Sequence, residues 1–146
     1  MSGSESLEKL YHIRENEMNE AQNEYSRAID YFETVGGQLY ELLKRKEETE
    51  NSVSHQLKKR MKMADLIHYE RYYQKLLDEE KVLQMKVHQA RVNMNHKQSK
   101  LTLSYQELKK LEKIIEKKKE EQLLMIKKEE MKFIDEISVQ QYLRQK

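Results

Sequence analysis

Residues 18–42, MNEAQNEYSRAIDYFETVGGQLYEL, decide the fold. Apolar side chains stand at Met18, Ala21, Tyr25, Ala28, Phe32, Val35, Leu39 and Leu42, alternating steps of three and four. A period of ~3.5 residues keeps one seam of a helix turned toward a partner helix, which is the mark of a coiled coil. The stripe extends back through Arg14 and Tyr11 to Leu7, and forward through Lys46 and Thr49 to Val53. Arg14, Lys46 and Thr49 are its polar members.

A second stripe starts at Tyr69 and runs through Tyr73, Leu76, Leu83, Val87, Ala90, Met94, Leu101, Leu108, Leu111 and Ile115 toward Met125. Glu80, Lys97, Ser104, Lys118 and Gln122 interrupt it, so this seam is weaker. The apolar phase is lost from Ser54 to Lys62, where Lys58, Lys59, Arg60 and Lys62 form a basic run. These signals predict helix 1 over about 5–57, a connection over about 58–63 and helix 2 over about 64–143. Asp65 is a candidate N-cap, because a side-chain oxygen can accept from an orphan amide of the first turn.

Folding the chain about residue 61 pairs positions whose numbers sum to 122, and then every seam position meets a seam position. Phe32 faces Ala90, Ala28 faces Met94, and Ala21 faces Leu101. Large-opposite-small layers fill a two-helix interface evenly. The expectation is an all-α chain, a single coiled-coil domain over 1–146. Its two long helices form an antiparallel coiled-coil hairpin, and residues 118–146 overhang as a single helix. That overhang carries Leu123, Leu124, Ile126, Met131, Phe133, Ile134, Ile137 and Leu143, so it needs something to pack against.

Composition narrows the functional classes. The chain has no Pro, no Cys, no Trp and three Gly, with 37% charged residues and a net charge of +2. With no Cys there is neither a disulfide framework nor thiolate chemistry, which suits a reducing cytosol. No apolar run approaches the ~18 residues that a membrane span requires. The five His include no i, i+4 pair for a helical metal clamp, and Gly36-Gly37 follows no strand and forms no phosphate loop. Those two glycines mark either a hinge, a close helix approach or a tolerated weakness. A two-helix protein also lacks the water-excluding concavity of an active site. The expectation is a non-enzymatic cytoplasmic protein with no cofactor, no metal and no nucleic-acid partner. The basic stretch 86–119 reads as a solvated face beside an acidic first helix. Residues 1–57 hold 6 Lys/Arg and 12 Asp/Glu, whereas 58–146 hold 22 and 14, so the two parts should attract.

Three motifs in order carry a family likeness. They are Glu33-Thr34-Val35 leading to Gln38-Leu39-Tyr40 and Leu42, then His68-Tyr69-Glu70-Arg71-Tyr72 and Leu76. The third is Glu130-Met131-Lys132-Phe133-Ile134-Asp135-Glu136-Ile137, with Arg144 beyond it. In this order and spacing the chain resembles the flagellar FliJ family, over nearly its whole length. The resemblance implies a coiled-coil stalk of the flagellar type III protein-export system. Such a stalk docks in the hexameric export ATPase ring much as the rotor stalk of a rotary ATP synthase does. It promotes the ATPase and links it to the membrane export gate, with export chaperones and substrates as escorted partners. It would be peripheral at the inner face of the cell membrane, at the flagellar base. The implied gate contacts are Gln38, Leu42, Tyr72 and Leu76; Lys132, Asp135, Glu136 and Arg144 belong to the tail that enters the ATPase. At Arg45, Thr49, Glu79 and Leu83 the chain departs from the family pattern. On the register above, Leu42 faces Glu80 and Leu76 faces Lys46, charges expected to open the seam into an apolar and aromatic patch. A stalk of a virulence-type secretion system, or a structural coiled-coil homodimer without an ATPase, are the alternatives.

Overall fold

A computed structural model describes residues 2–145. The ends of the expected domain, Met1 and Lys146, lie outside the described residues. Two helices make up the fold: α1, Ser2–Lys58, and α2, Met63–Gln145, packed antiparallel as a helical hairpin. Few glycines and no proline leave α1 and α2 free of interior breaks. Gly36 and Gly37 lie inside α1, and a Cβ added at either meets nothing within 4 Å. The close-approach reading of this pair therefore fails; they are weak helix formers facing open space.

The turn is made without glycine. Arg60 takes φ 67°, the left-handed conformation that lets the chain reverse in the few residues between the helices. The amide of Lys59 donates to the carbonyl of Gln56, and the amide of Leu66 to that of Lys62. The second bond starts α2 at Met63, so Asp65 sits within the first turn rather than at the cap. There its negative charge still favours the positive end of the helix dipole.

Residues Asn19–Thr102 form one compact unit. Its α1 core is Ala21, Ala28, Val35, Leu42 and Thr49, five buried residues spaced by seven. The alternate seam positions Tyr25, Phe32, Leu39, Lys46 and Val53 are half-buried. One heptad position thus points straight at α2 while the other leans to the side. From α2, Leu76 and Ala90 are buried against them. The Thr49 hydroxyl donates to the carbonyl of Arg45 at 2.8 Å, which satisfies the one buried polar side chain of this core within its own helix.

The cross-helix contacts set the register of this unit. Lys46 pairs with Glu80, Tyr73 with Glu50, Gln56 with Tyr69, and Lys97 and Lys100 with Glu24. The Arg91 guanidinium lies over the Phe32 ring, 5.5 Å from its centroid. These pairs sum to between 121 and 126, so the chain folds about the expected point and not a heptad away. The acidic-first, basic-second attraction operates at Glu24, which receives two lysines and whose carboxyl they hold below its ordinary pKa by hydrogen bonds. At Lys46 and Glu80 the signs are reversed.

The stretches up to Met18 and from Leu103 onward form the other unit. Leu108 and Leu111 are buried, with Leu7, Tyr11, Met18 and Ile115 half-buried around them. The Tyr11 hydroxyl donates to Glu112 at 3.3 Å. Partial burial and the Glu112 carboxylate both push the Tyr11 phenol upward from its ordinary value.

Candidate interaction surfaces

Two regions collect the functional residues named from the sequence. The first, within Asn19–Thr102, holds Gln38, Leu42, Tyr72 and Leu76. Gln38 is exposed and lines a shallow groove with Thr34, Gly37, Tyr40, Glu41, Arg45 and Leu83. Tyr72 is exposed as well. Leu42 and Leu76 are different: they are 0% and 1% exposed, the largest fully buried side chains among the described residues. The expected open seam is absent here. Its two charges have opposite sign, and the Lys46 ammonium donates to the Glu80 carboxylate at 3.1 Å, so they draw the helices together instead of parting them. That hydrogen bond, with the neighbouring carboxylate charges, raises the Lys46 pKa. The exposed remainder is polar and aromatic: Gln38, Tyr72 and, on the α1 side, the largely exposed Tyr40.

Sequence reasoning missed a second feature of the same unit. Toward the turn, Thr49, Val53, Leu57, Leu66, Tyr69 and Tyr73 line an open apolar groove of about 700 Å³. Tyr73 donates to Glu50 at 2.6 Å and Gln56 donates to the Tyr69 hydroxyl at 3.3 Å, so polar bridges flank the groove. The Glu50 bond is the main cause of the upward shift of the Tyr73 phenol. The available signal was the phase loss after Val53, since helices that lose their shared seam diverge and leave a cleft.

The second region is the tail of α2. Every residue from 116 to 145 is exposed. Leu123, Ile126, Phe133 and Ile137 nonetheless follow three- and four-residue steps through Glu130, which breaks the apolar stripe at its middle, and Ile134 stands beside Phe133. Phe133 is 63% exposed and Ile134 59%, values that an isolated apolar stripe on water does not favour. Lys132, Asp135 and Glu136 cluster within about one turn beside Phe133 and Ile134, while Arg144 lies about two turns further on. All four are exposed, and none enters an ion pair among the described residues. The structure thus gathers three of the tail residues and separates the fourth.

Among the described residues, no group of three His, Cys, Asp or Glu side chains could hold a metal ion. No described helix is long and apolar enough to cross a membrane.

The family described as "Flagellar FliJ protein" matches residues 3–146. The Flagellar FliJ protein of Bacillus subtilis (strain 168) is 35% identical over 139 residues, covering 95% of either chain. This chain belongs to the FliJ family. As a FliJ-family protein it is a component of flagellar biogenesis and protein export, and hence of motility. No solved structure matches it. The helical hairpin and its exposed tail stand here on this FliJ-family chain's own residues.

Proposed function

We propose that this chain is the stalk of the flagellar type III export ATPase, docking its tail helix in the central opening of the hexameric ring. In this reading it promotes ATPase activity and links the ring to the membrane export gate. It also escorts export substrates or their chaperones, and works peripherally at the inner face of the cell membrane at the flagellar base. The observation that carries the proposal is the tail: an uninterrupted helix, exposed from 116 to 145, with an apolar stripe that nothing in the hairpin covers. A helix so placed fits a cavity between other subunits. Burying one Ile or Phe of the stripe contributes about 1.5–3 kcal/mol. Charged flanks at Lys132, Asp135 and Glu136 would set its rotation within the ring. Differential contacts around a ring bias subunit conformations, so a protein with no chemistry of its own can change a turnover rate.

The gate contact is assigned to the exposed Gln38 and Tyr72, each one helical turn from a buried leucine, Leu42 and Leu76 respectively. Aromatic side chains at such positions are common binding anchors, and truncating one costs ~2 kcal/mol or more.

The test pairs the purified chain with the hexameric export ATPase. The full chain should bind and raise turnover, while a chain ending after Gln122 should do neither and yet keep its hairpin helicity. Undiminished stimulation by the shortened chain would refute tail docking. Gln38→Ala with Tyr72→Ala should weaken gate binding and spare the ATPase; the reverse pattern would overturn the division of roles.

A further inference from the structure

The hairpin turn combines a local excess of unpaired cations with exposed apolar side chains. Lys58, Lys59, Arg60 and Lys62 are all exposed, and none makes a side-chain hydrogen bond or ion pair among the described residues. By contrast, Lys46, Lys97, Lys100, Lys109 and Lys110 each have a carboxylate partner. Between residues 51 and 69 the one acid is Asp65, so this end carries +3 with its histidines neutral. Around these charges stand apolar side chains that the hairpin does not cover: Leu57, Met63, which is 70% exposed, and Ile67.

We propose that the hairpin turn docks on an anionic lipid bilayer, its four cations on the phosphate layer and Met63, Ile67 and Leu57 at the headgroup–acyl boundary. Charge complementarity selects the partner. Unpaired lysines near an anionic surface each add attraction that fades within a Debye length, and exposed apolar side chains beside them gain by leaving water. A nucleic acid would satisfy the cations but leave Met63 and Ile67 in water. The inference rests on the turn alone and stands whether or not the tail binds an ATPase.

Flotation of the full chain with vesicles tests it. Vesicles of phosphatidylglycerol and phosphatidylcholine in equal parts should carry the protein, and pure phosphatidylcholine should not. Salt near ~1 M, where the Debye length is ~3 Å, should release it. Lys59→Gln and Lys62→Gln should each weaken binding roughly fivefold. Met63→Ser with Ile67→Ser should weaken it severalfold at unchanged charge. Both residues are exposed, so unchanged helicity confirms that folding is not the cause. Lys127→Gln with Lys128→Gln, on the exposed tail, should leave binding as it was. Equal loss from that tail variant would overturn the proposal. So would full binding by the Met63 and Ile67 variant, or tighter binding of duplex DNA through the same four cations.

Discussion

Replacing Leu76 with alanine tests the most consequential placement in the structure, a residue that family likeness assigns to a partner and geometry assigns to the core. Leu76 is 1% exposed, so the three carbons removed all lie in the packed seam. At ~0.8 kcal/mol per buried methylene the transfer loss is about 2.4 kcal/mol. A cavity adds to this only in so far as the two helices fail to close over it, and a two-helix seam relaxes readily, so about 2–3 kcal/mol in all is expected. For a chain of this size that lowers Tm by about 5–10 °C. Tyr72→Ala, at an exposed site, should cost less than about 1 kcal/mol. Circular dichroism melts of the two variants measure the contrast directly. A Leu76→Ala melt within ~2 °C of the parent would refute the packing argument. Gate binding, measured well below the melt, supplies the complement. If Leu76→Ala is fully helical yet loses the gate, its side chain reaches the partner and the hairpin opens there on binding.

Three further expectations follow from single features. Gly37→Ala should stabilise α1 by about 0.5–1 kcal/mol, since the added methyl meets nothing within 4 Å and alanine is the better helix former; a lowered Tm would show a need for flexibility or a clash. Arg60→Gly should also stabilise, by about 1 kcal/mol, because φ 67° is strained for arginine and free for glycine, and a destabilised variant would show that the Arg60 side chain holds the turn. The pH profile of Tm should be flat near neutrality and fall on both sides. The raised Tyr11, Tyr73, Lys46 and Lys109 contribute stability that is complete below their ordinary values of 10.0 and 10.5, and is lost as pH climbs through the raised ones. The lowered Glu24 contributes above its ordinary 4.5 and is lost as pH falls through its depressed value, so Glu24→Gln should flatten the acid limb in melts taken from acid to alkali.

The fold class was legible in the sequence because a coiled-coil seam is a local, repeating signal. Met18 to Leu42 alternate by three and four without a fault, and a helix with such a stripe has few ways to bury it. The fold point was legible to within a few residues: the cross-helix pairs sum to 121–126 against the expected 122, a heptad shift having kept the seam phase at the cost of some size matching. The tail's exposed apolar stripe could be read from Leu123 to Ile137, which outlast the first helix.

Other features depended on three-dimensional proximity, which no one-dimensional pattern encodes. Lys46 and Glu80 look like two defects in two separate stripes, each expected to open the seam. In the folded chain the Lys46 ammonium lies 3.1 Å from the Glu80 carboxylate, which turns two defects into an attraction across the seam, and Leu42 and Leu76 are buried. The groove at Val53 and Tyr69, and the glycine-free turn at Arg60, arise the same way: helix divergence and a left-handed φ belong to the path of the backbone between elements. By itself the sequence determined two helices, their seams and an approximate fold point, through periodicity that acts within a few turns. The tertiary structure alone decided which polar seam residues pair and which family contact residues remain exposed, because burial is a property of the space between helices.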